Sequence, residues 1–411
     1  MFVFLYTTCI ACYHAAIRAL APFHAKAAAW VDGRKNLWKQ IDAFERGEGR
    51  LAWFHVASLG EFEQGLPLIE LTREREPGTR IVVTFFSPSG HEARARHASI
   101  DAAFYLPPES RRNARRFLRA IRPDVVVFVK YEFWYHYLHA LRDAGVPTYL
   151  LSARFRPGQP FFRPWGALHR RMLGFFEKIL VQDDASARLL RSVGATRVEV
   201  TGDTRFDRVL TIAGQARAID RVERFRGDAP LVVCGSTWPA DERVLSRCIR
   251  ARGETCRWVI VPHEVDEERV RALVARLGEG VARFSDEVID ETTCRVLIID
   301  RVGLLSSAYR YATVAYIGGG FGRGIHNTLE AATYGIPVLF GPAYRKFGEA
   351  VEMTRRGCAF PVRDAARLEQ KMRELLDNPA LAARAGKEAG MFVRENAGAA
   401  DRAFNAIFRE T

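Results

Sequence analysis

Charge is missing where the chain begins: residues 1–17 contain no Asp, Glu, Lys or Arg. With no basic residue ahead of the apolar run, the segment does not read as a cleaved signal peptide. A full membrane span asks for about 20 apolar residues, and Tyr6, Tyr13, His14 and Arg18 interrupt this one. The expectation is an N-terminal helix over 1–28 that dips into a membrane. An ordinary packed helix is the other reading. Acid is scarce next: between residues 18 and 39, Arg18, Lys26, Arg34, Lys35 and Lys39 face only Asp32, a balance suited to anionic headgroups. Cysteine is also sparse. Seven residues, scattered and odd in number, argue against a disulfide framework and fit a reducing compartment. Cys9 and Cys12 have C-x-x-C spacing but no second pair, so they do not read as a metal site. Clusters with metal-ligand spacing, a Ser-His-Asp order, internal repeats, low-complexity tracts and recognised nucleic-acid motifs are all lacking.

What is present suits two domains, given 411 residues of which 48% are hydrophobic and 27% charged. The net charge of +13 leaves nucleic acid, an anionic membrane or an acidic substrate open as partners. From residue 51, short apolar runs (51–56, 80–86, 124–129, 147–151 and 178–182) alternate with amphipathic stretches (61–75, 109–121, 133–143 and 183–193). That is the pattern of a parallel, doubly wound sheet whose strands are buried on both faces. It lapses into a polar connection and restarts at 231–235, 257–262, 295–300, 313–318 and 337–340. The chain therefore reads as α/β, with two Rossmann-like domains in tandem. The expected division is 1–28, 29–210, a linker over 211–229, 230–395, and a C-terminal helix over 396–411 that crosses back to the first domain.

The central stretch is 316–342, YIGGGFGRGIHNTLEAATYGIPVLFGP. A strand over 314–317 runs into glycines that let backbone N–H groups approach a ligand. A helix expected to open near His326 adds its dipole, so the segment suits an anionic or nucleotide group. Asn327 and Glu330 share a face of its first turn, and the carboxylate suits a ribose diol. Ligands bind beyond the carboxyl ends of parallel strands. There the sequence places A-S-L-G-E (57–61), S-P-S-G-H (87–91), K-Y-E-F-W (130–134), S-A-R-F (152–155), T-G-D-T-R-F-D (201–207), C-G-S-T-W (234–238) and V-P-H-E (261–264). A Glu at a helix start, such as Glu61, is most often a dipole partner. Facing a cleft, it is a candidate general base for a sugar hydroxyl. Arg154, Arg156 and Arg163 among aromatics over 155–165 suit a phosphorylated headgroup or stacked bases.

In that order and spacing, these motifs resemble the 3-deoxy-D-manno-octulosonic acid (Kdo) transferases over nearly the whole chain. The resemblance implies a GT-B fold with a deep inter-domain cleft. It also implies an inverting transfer of Kdo from CMP-Kdo to a lipid A precursor (lipid IVA), with no metal or other cofactor. The setting is lipopolysaccharide synthesis at the cytoplasmic face of the bacterial inner membrane, so the implied partners are the donor, the acceptor and the lipid surface, without nucleic acid. By the same resemblance Glu61 is the base, and Glu132 and Arg205 stabilise the transition state. The donor is held by Pro262, His263, Val302, Gly303, Leu304, Gly319, Gly320, Asn327, Thr328, Leu329 and Glu330. Ser58, Gly60, Ser89 and Arg154 are the expected acceptor contacts.

The chain departs from the family pattern in three places. Pro262-His263-Glu264 stands where many members have P-R-H, which exchanges a fixed charge for an imidazole or leaves it to Arg323. Val302-Gly303-Leu304 stands for M-G-E, so only backbone contact is expected of Leu304. Arg205 replaces the commoner Lys. A GT-B transferase of another nucleotide sugar and a basic nucleic-acid-binding protein are the alternative readings.

Overall fold

The computed structural model describes residues 2–252, 255–290 and 292–409. Residue 1 of the expected N-terminal helix, residues 253–254 and 291 of the expected second domain, and residues 410–411 of the expected C-terminal helix lie outside them. The chain divides into two compact units, Met1–Arg208 with Ala397–Thr411, and Val209–Asn396.

The first unit is built on β1 (Leu51–Val56), β2 (Arg80–Phe85), β3 (Ala102–Tyr105), β4 (Val125–Val129), β5 (Thr148–Ala153), β6 (Lys178–Val181) and β7 (Val198–Val200). They form one sheet in the order β3-β2-β1-β4-β5-β6-β7, and every pairing is parallel. Alternate residues feed opposite faces. Trp53, Val82, Val126 and Phe128 enter one core, while Phe54, Val83 and Val127 enter the other. This two-faced burial is why the strands read as continuous apolar runs rather than alternating ones.

The helix Leu59–Arg75 lies on the second face through Phe62, Leu66 and Ile69, and there it meets the C-terminal helix Ala399–Phe408 through Phe404, Ile407 and Phe408. Asp207 holds the start of the C-terminal helix, accepting from the N–H groups of Gly398 at 2.6 Å and Ala400 at 3.2 Å. At the other end of the chain, the helix Phe2–Leu20 continues as a 3-10 turn to Phe23, and this 22-residue stretch is long and apolar enough to cross a membrane. One of its faces docks on the unit. The Tyr6 hydroxyl donates to Glu109 at 2.6 Å, Thr7 Oγ1 lies 2.9 Å from His136 Nε2, and His14 stacks on Trp30. The opposite face leaves Phe2, Phe4, Leu5, Leu20 and Phe23 exposed.

The second unit repeats the plan with β8 (Leu231–Thr237), β9 (Arg257–Pro262), β10 (Val281–Arg283), β11 (Val296–Ile298), β12 (Val314–Ile317), β13 (Val338–Phe340) and β14 (Ala359–Pro361). Its order is β10-β11-β9-β8-β12-β13-β14, again all parallel. The stretch 211–229, expected as a linker, holds the end of one helix and all of a second, Asp220–Arg226. That second helix buries Val222 and Phe225, and the Ile219 N–H donates to Tyr311 Oη at 2.7 Å, so much of the stretch is part of this unit's body. The helix expected near His326 is a single turn, Leu329–Ala332, because Asn327 Oδ1 takes the Leu329 N–H and delays its start. One turn carries little macrodipole. Anion affinity at this loop therefore rests on its individual N–H groups.

Replacing Phe404, which is fully buried, with Ala is expected to destabilise the first unit by about 3–5 kcal/mol. Denaturant unfolding of the full chain measures this loss.

Candidate active site

In each sheet the order reverses beside its first strand, and neighbouring loops diverge there to leave a crevice. In the first unit the reversal lies between β1 and β4, which places the 57–61 and 130–134 loops at the opening. Glu61 occupies the third position of the helix Leu59–Arg75, and its carboxylate turns back to accept the Ala57 N–H at 2.5 Å. This is a capping geometry, yet burial and then the nearby negative charge of Glu132 lift its pKa to about 7. A carboxyl group poised there can exchange a proton with a hydroxyl near neutral pH.

Glu132 is itself nearly enclosed. Its Oε2 lies 3.1 Å from His55 Nε2 and accepts the Trp134 indole N–H at 2.6 Å. Lys130, just past the end of β4, holds φ at 62°, a backbone state uncommon outside glycine. Arg205 grips Asp203 Oδ2 through Nε and Nη2, at 2.9 and 2.7 Å, and Gln64 of the neighbouring helix donates to Asp203 Oδ1. Arg154, Arg156, Arg205 and Asp203 all act on the Tyr131 phenol, whose pKa burial raises, so these side chains share one neighbourhood. Arg154 also pairs with Asp183 at 3.4 Å.

The small-residue turns converge as well. A Cβ on Gly90 would meet Phe85 and the backbone of Ser58 and Leu59, so the Ser87–Ser89 loop sits against the start of the Glu61 helix. Ser58 caps that helix without a side-chain bond, Gly60 is exposed beside it, and Ser89 bonds Ser87 at 3.0 Å. The expected catalytic and acceptor residues of the first unit thus lie at the carboxyl ends of successive strands.

The second unit reverses between β8 and β12, where the 234–238 turn meets the glycine loop. Asp241, fully buried, ties the two together. Its Oδ2 accepts from the N–H groups of Trp238 at 3.0 Å and Gly319 at 2.8 Å, while Oδ1 accepts from Tyr316 Oη at 2.9 Å. Glycine is required at two points: a Cβ on Gly318 would strike the Ser236 carbonyl, and one on Gly320 would strike Gly341.

Trp238, His263 and His326 form a ring stack, with 4.8 Å between Trp238 and His263 and 4.4 Å between His263 and His326. The Trp238 indole donates to His326 Nε2 at 2.8 Å, and burial and then His263 lower the His326 pKa. Pro262 ends β9 beside Thr237. Asn327 Nδ2 donates to Glu330 at 3.0 Å, which confirms their shared face, and Thr328 Oγ1 is buried without a hydrogen-bond partner among the described residues. Leu329 is fully buried, so its side chain belongs to the core and only its backbone is available. Val302, Gly303 and Leu304 form the turn after β11, with Val302 exposed and Gly303 at φ 91°.

Residues 33–208 match the family model described as 3-deoxy-D-manno-octulosonic-acid transferase (kdotransferase). Proteins named 3-deoxy-D-manno-octulosonic acid transferase are similar over most of the chain. The one from Aquifex aeolicus is 27% identical, with 79% of this chain and 85% of that protein covered, and the one from Rickettsia conorii is 26% identical, with 87% and 79% covered. The chain is thus similar to Kdo transferases over most of its length.

Solved structures agree on the fold. The UDP-GlcNAc 2-epimerase of Neisseria meningitidis bound to UDP-GlcNAc superposes with a TM-score of 0.62 at 17% identity, over 88% of this chain and 99% of that one. MurG of Acinetobacter baumannii gives 0.56 at 14% identity, over 88% and 100%. The fold is GT-B.

Sequence reasoning gives no role to three groups that the geometry brings forward. His55 backs Glu132, Asp241 braces the glycine loop, and Trp238 joins the imidazole stack. A histidine inside a strand buried on both faces was the available signal for His55. Asp241→Ala would strand the buried Gly319 N–H and Tyr316 hydroxyl. The expected cost is about 1–3 kcal/mol for each group left unpaired, read as a lower unfolding midpoint for the full chain.

Proposed function

We propose that this chain is an inverting glycosyltransferase that moves Kdo from CMP-Kdo to a lipid A precursor, lipid IVA, in lipopolysaccharide synthesis. The observation that carries the reading is Glu61, held at a sheet reversal with its pKa near 7 beside a second carboxyl group, in a chain similar to the Kdo transferases. Glu61 takes the proton of an acceptor hydroxyl as that oxygen bonds to the anomeric carbon. The bond from that carbon to the phosphate oxygen breaks, and its electron pair leaves with CMP. A single displacement inverts the centre and needs one base.

Glu132 supports positive charge developing on the sugar, and Arg205, oriented by Asp203, supports negative charge on the leaving phosphate. The donor nucleotide is assigned to Pro262, His263, the backbone of 302–304, Gly319, Gly320, Asn327, Thr328, the Leu329 backbone and Glu330. Loop N–H groups and Arg323 carry the charge on CMP in this reading, and no metal or other cofactor takes part. Ser58, Gly60, Ser89 and Arg154 are assigned to the acceptor. The exposed apolar face of the N-terminal helix is assigned to the lipid surface at the cytoplasmic side of the inner membrane, with neighbouring basic residues on anionic headgroups.

Glu61→Ala is expected to abolish CMP release from CMP-Kdo in the presence of lipid IVA while leaving CMP affinity intact. Unimpaired turnover would remove Glu61 as the base. In the parent enzyme a base must be ionised, so kcat/KM rises with pH through a limb near 7, set by the raised Glu61 pKa. A limb near 4 would contradict the assignment. On the membrane side, Phe4 and Phe23 are 78% and 87% exposed, so Phe4→Glu with Phe23→Glu is expected to release the protein from anionic liposomes in a sedimentation assay. Equal sedimentation of parent and variant would make the helix a packing element only.

A further inference from the structure

His55 has no part in the reaction as proposed, yet it is fully enclosed and makes a hydrogen bond at each ring nitrogen. On one side, Nδ1 meets two atoms of Thr84 on β2, the carbonyl oxygen at 3.1 Å and Oγ1 at 2.8 Å. The carbonyl only accepts, so its contact with Nδ1 calls for a hydrogen on that nitrogen, and Oγ1, which also takes the Trp53 indole N–H at 2.8 Å, has a second lone pair to share it. On the other side, Nε2 faces Glu132 Oε2 at 3.1 Å, and that contact needs a proton on one of the two atoms. Phe128 of β4 lies edge-on to the imidazole at 5.3 Å and fixes its plane. Glu132 is thus held by a chain that runs from β2 through β1, with Trp134 closing the same oxygen from its own loop.

We propose that His55 is a positioning residue for the transfer. Through the proton it shares with Glu132 Oε2, it fixes that carboxyl group and sets the charge that Glu61 faces. The inference rests on the roles given above to Glu61 and Glu132. Charged or titratable groups that act on this trio include Lys130, on Glu61 from the 130–134 loop, and Tyr6, which feels Glu132 from the N-terminal helix. Without the imidazole, Glu61 faces a Glu132 carboxyl group that has lost a hydrogen-bond partner, with Lys130 as the nearby countercharge, and the less relieved like charge holds the Glu61 proton to higher pH.

The test compares His55→Phe, His55→Gln, Glu132→Gln and the double variant His55→Phe/Glu132→Gln. CMP affinity and thermal melting report on folding, and transfer from CMP-Kdo to lipid IVA is followed across pH. His55→Phe is expected to lower kcat about 100-fold, the scale of loss for a misplaced catalytic group. Donor KM stays within about two-fold, as for an interaction made only in the transition state. The acid limb moves to higher pH. His55→Gln, which can return an N–H to Glu132, recovers part of the rate but keeps the displaced limb. Added to Glu132→Gln, His55→Phe costs nothing further, because both changes remove one interaction.

A parental rate and pH profile in His55→Phe, or losses that multiply in the double variant, would overturn the proposal. Should His55→Phe fail to fold, a parental acid limb in His55→Gln decides against it. Glu132→Gln at the parental rate would instead overturn the role given to Glu132 in the reaction, and this inference with it. Loss in Glu132→Gln with His55→Phe unaffected overturns the inference alone.

Discussion

In a parallel sheet every strand delivers its carboxyl end to the same edge, and the loops that leave that edge on either side of a reversal must part. The chain uses this constraint twice, between β1 and β4 and between β8 and β12. The backbone accommodates the crowding in specific ways. Lys130, Ser152 and Ser236, each at or near a strand end, take φ of 62°, 52° and 53°, a state that costs on the order of 1–3 kcal/mol for a residue with a side chain. Glycine occupies positions such as 318 and 320, where a Cβ would meet main chain. Hydrogen bonds then hold the loops in place: Asp241 gathers three donors from β12, its glycine loop and the 234–238 turn, and Asp203 joins Arg205 to Gln64. The side chains assigned to chemistry are supported by a polar layer that is itself largely buried.

That layer also separates functional charge from the surplus. Much of the net charge of +13 sits on helix surfaces, where ion pairs such as Arg271–Glu267 are solvated and contribute little. Inside, Glu242 pairs with Arg269 at 2.6 Å, and Arg205 with Asp203, so charge is largely balanced locally. Glu61 differs in that its carboxylate accepts a backbone N–H and its strongest charged neighbour is another carboxylate. Burial and like charge act in the same direction on it, which is the combination that suits a carboxyl group to proton transfer near neutral pH.

Much of this was legible in the sequence, and the exceptions have a physical pattern. The ten apolar runs became strands, and the four strands that were not read, β3, β7, β10 and β14, are the edges of the two sheets. Edge strands are short and part-exposed, so Val281–Arg283 and Val198–Val200 carry no continuous apolar signal. The helix at His326 was misplaced because Asn327 bonds its own neighbour's backbone, an Asx turn that glycine spacing does not reveal. Glu61, Glu132 and Arg205 stand out as candidates from motif order. The roles of His55, Thr84 and Asp241 are not legible because they lie in partners far away in sequence. Leu329 belongs to the same motif, and its place there says nothing of the core its side chain fills.

The most direct test of the account is the mass of the glycolipid made when the purified chain is given CMP-Kdo and lipid IVA. The account predicts a product heavier than lipid IVA by one or more Kdo residues, formed together with CMP. Unchanged lipid IVA, with the enzyme folded and CMP-Kdo supplied, would contradict it.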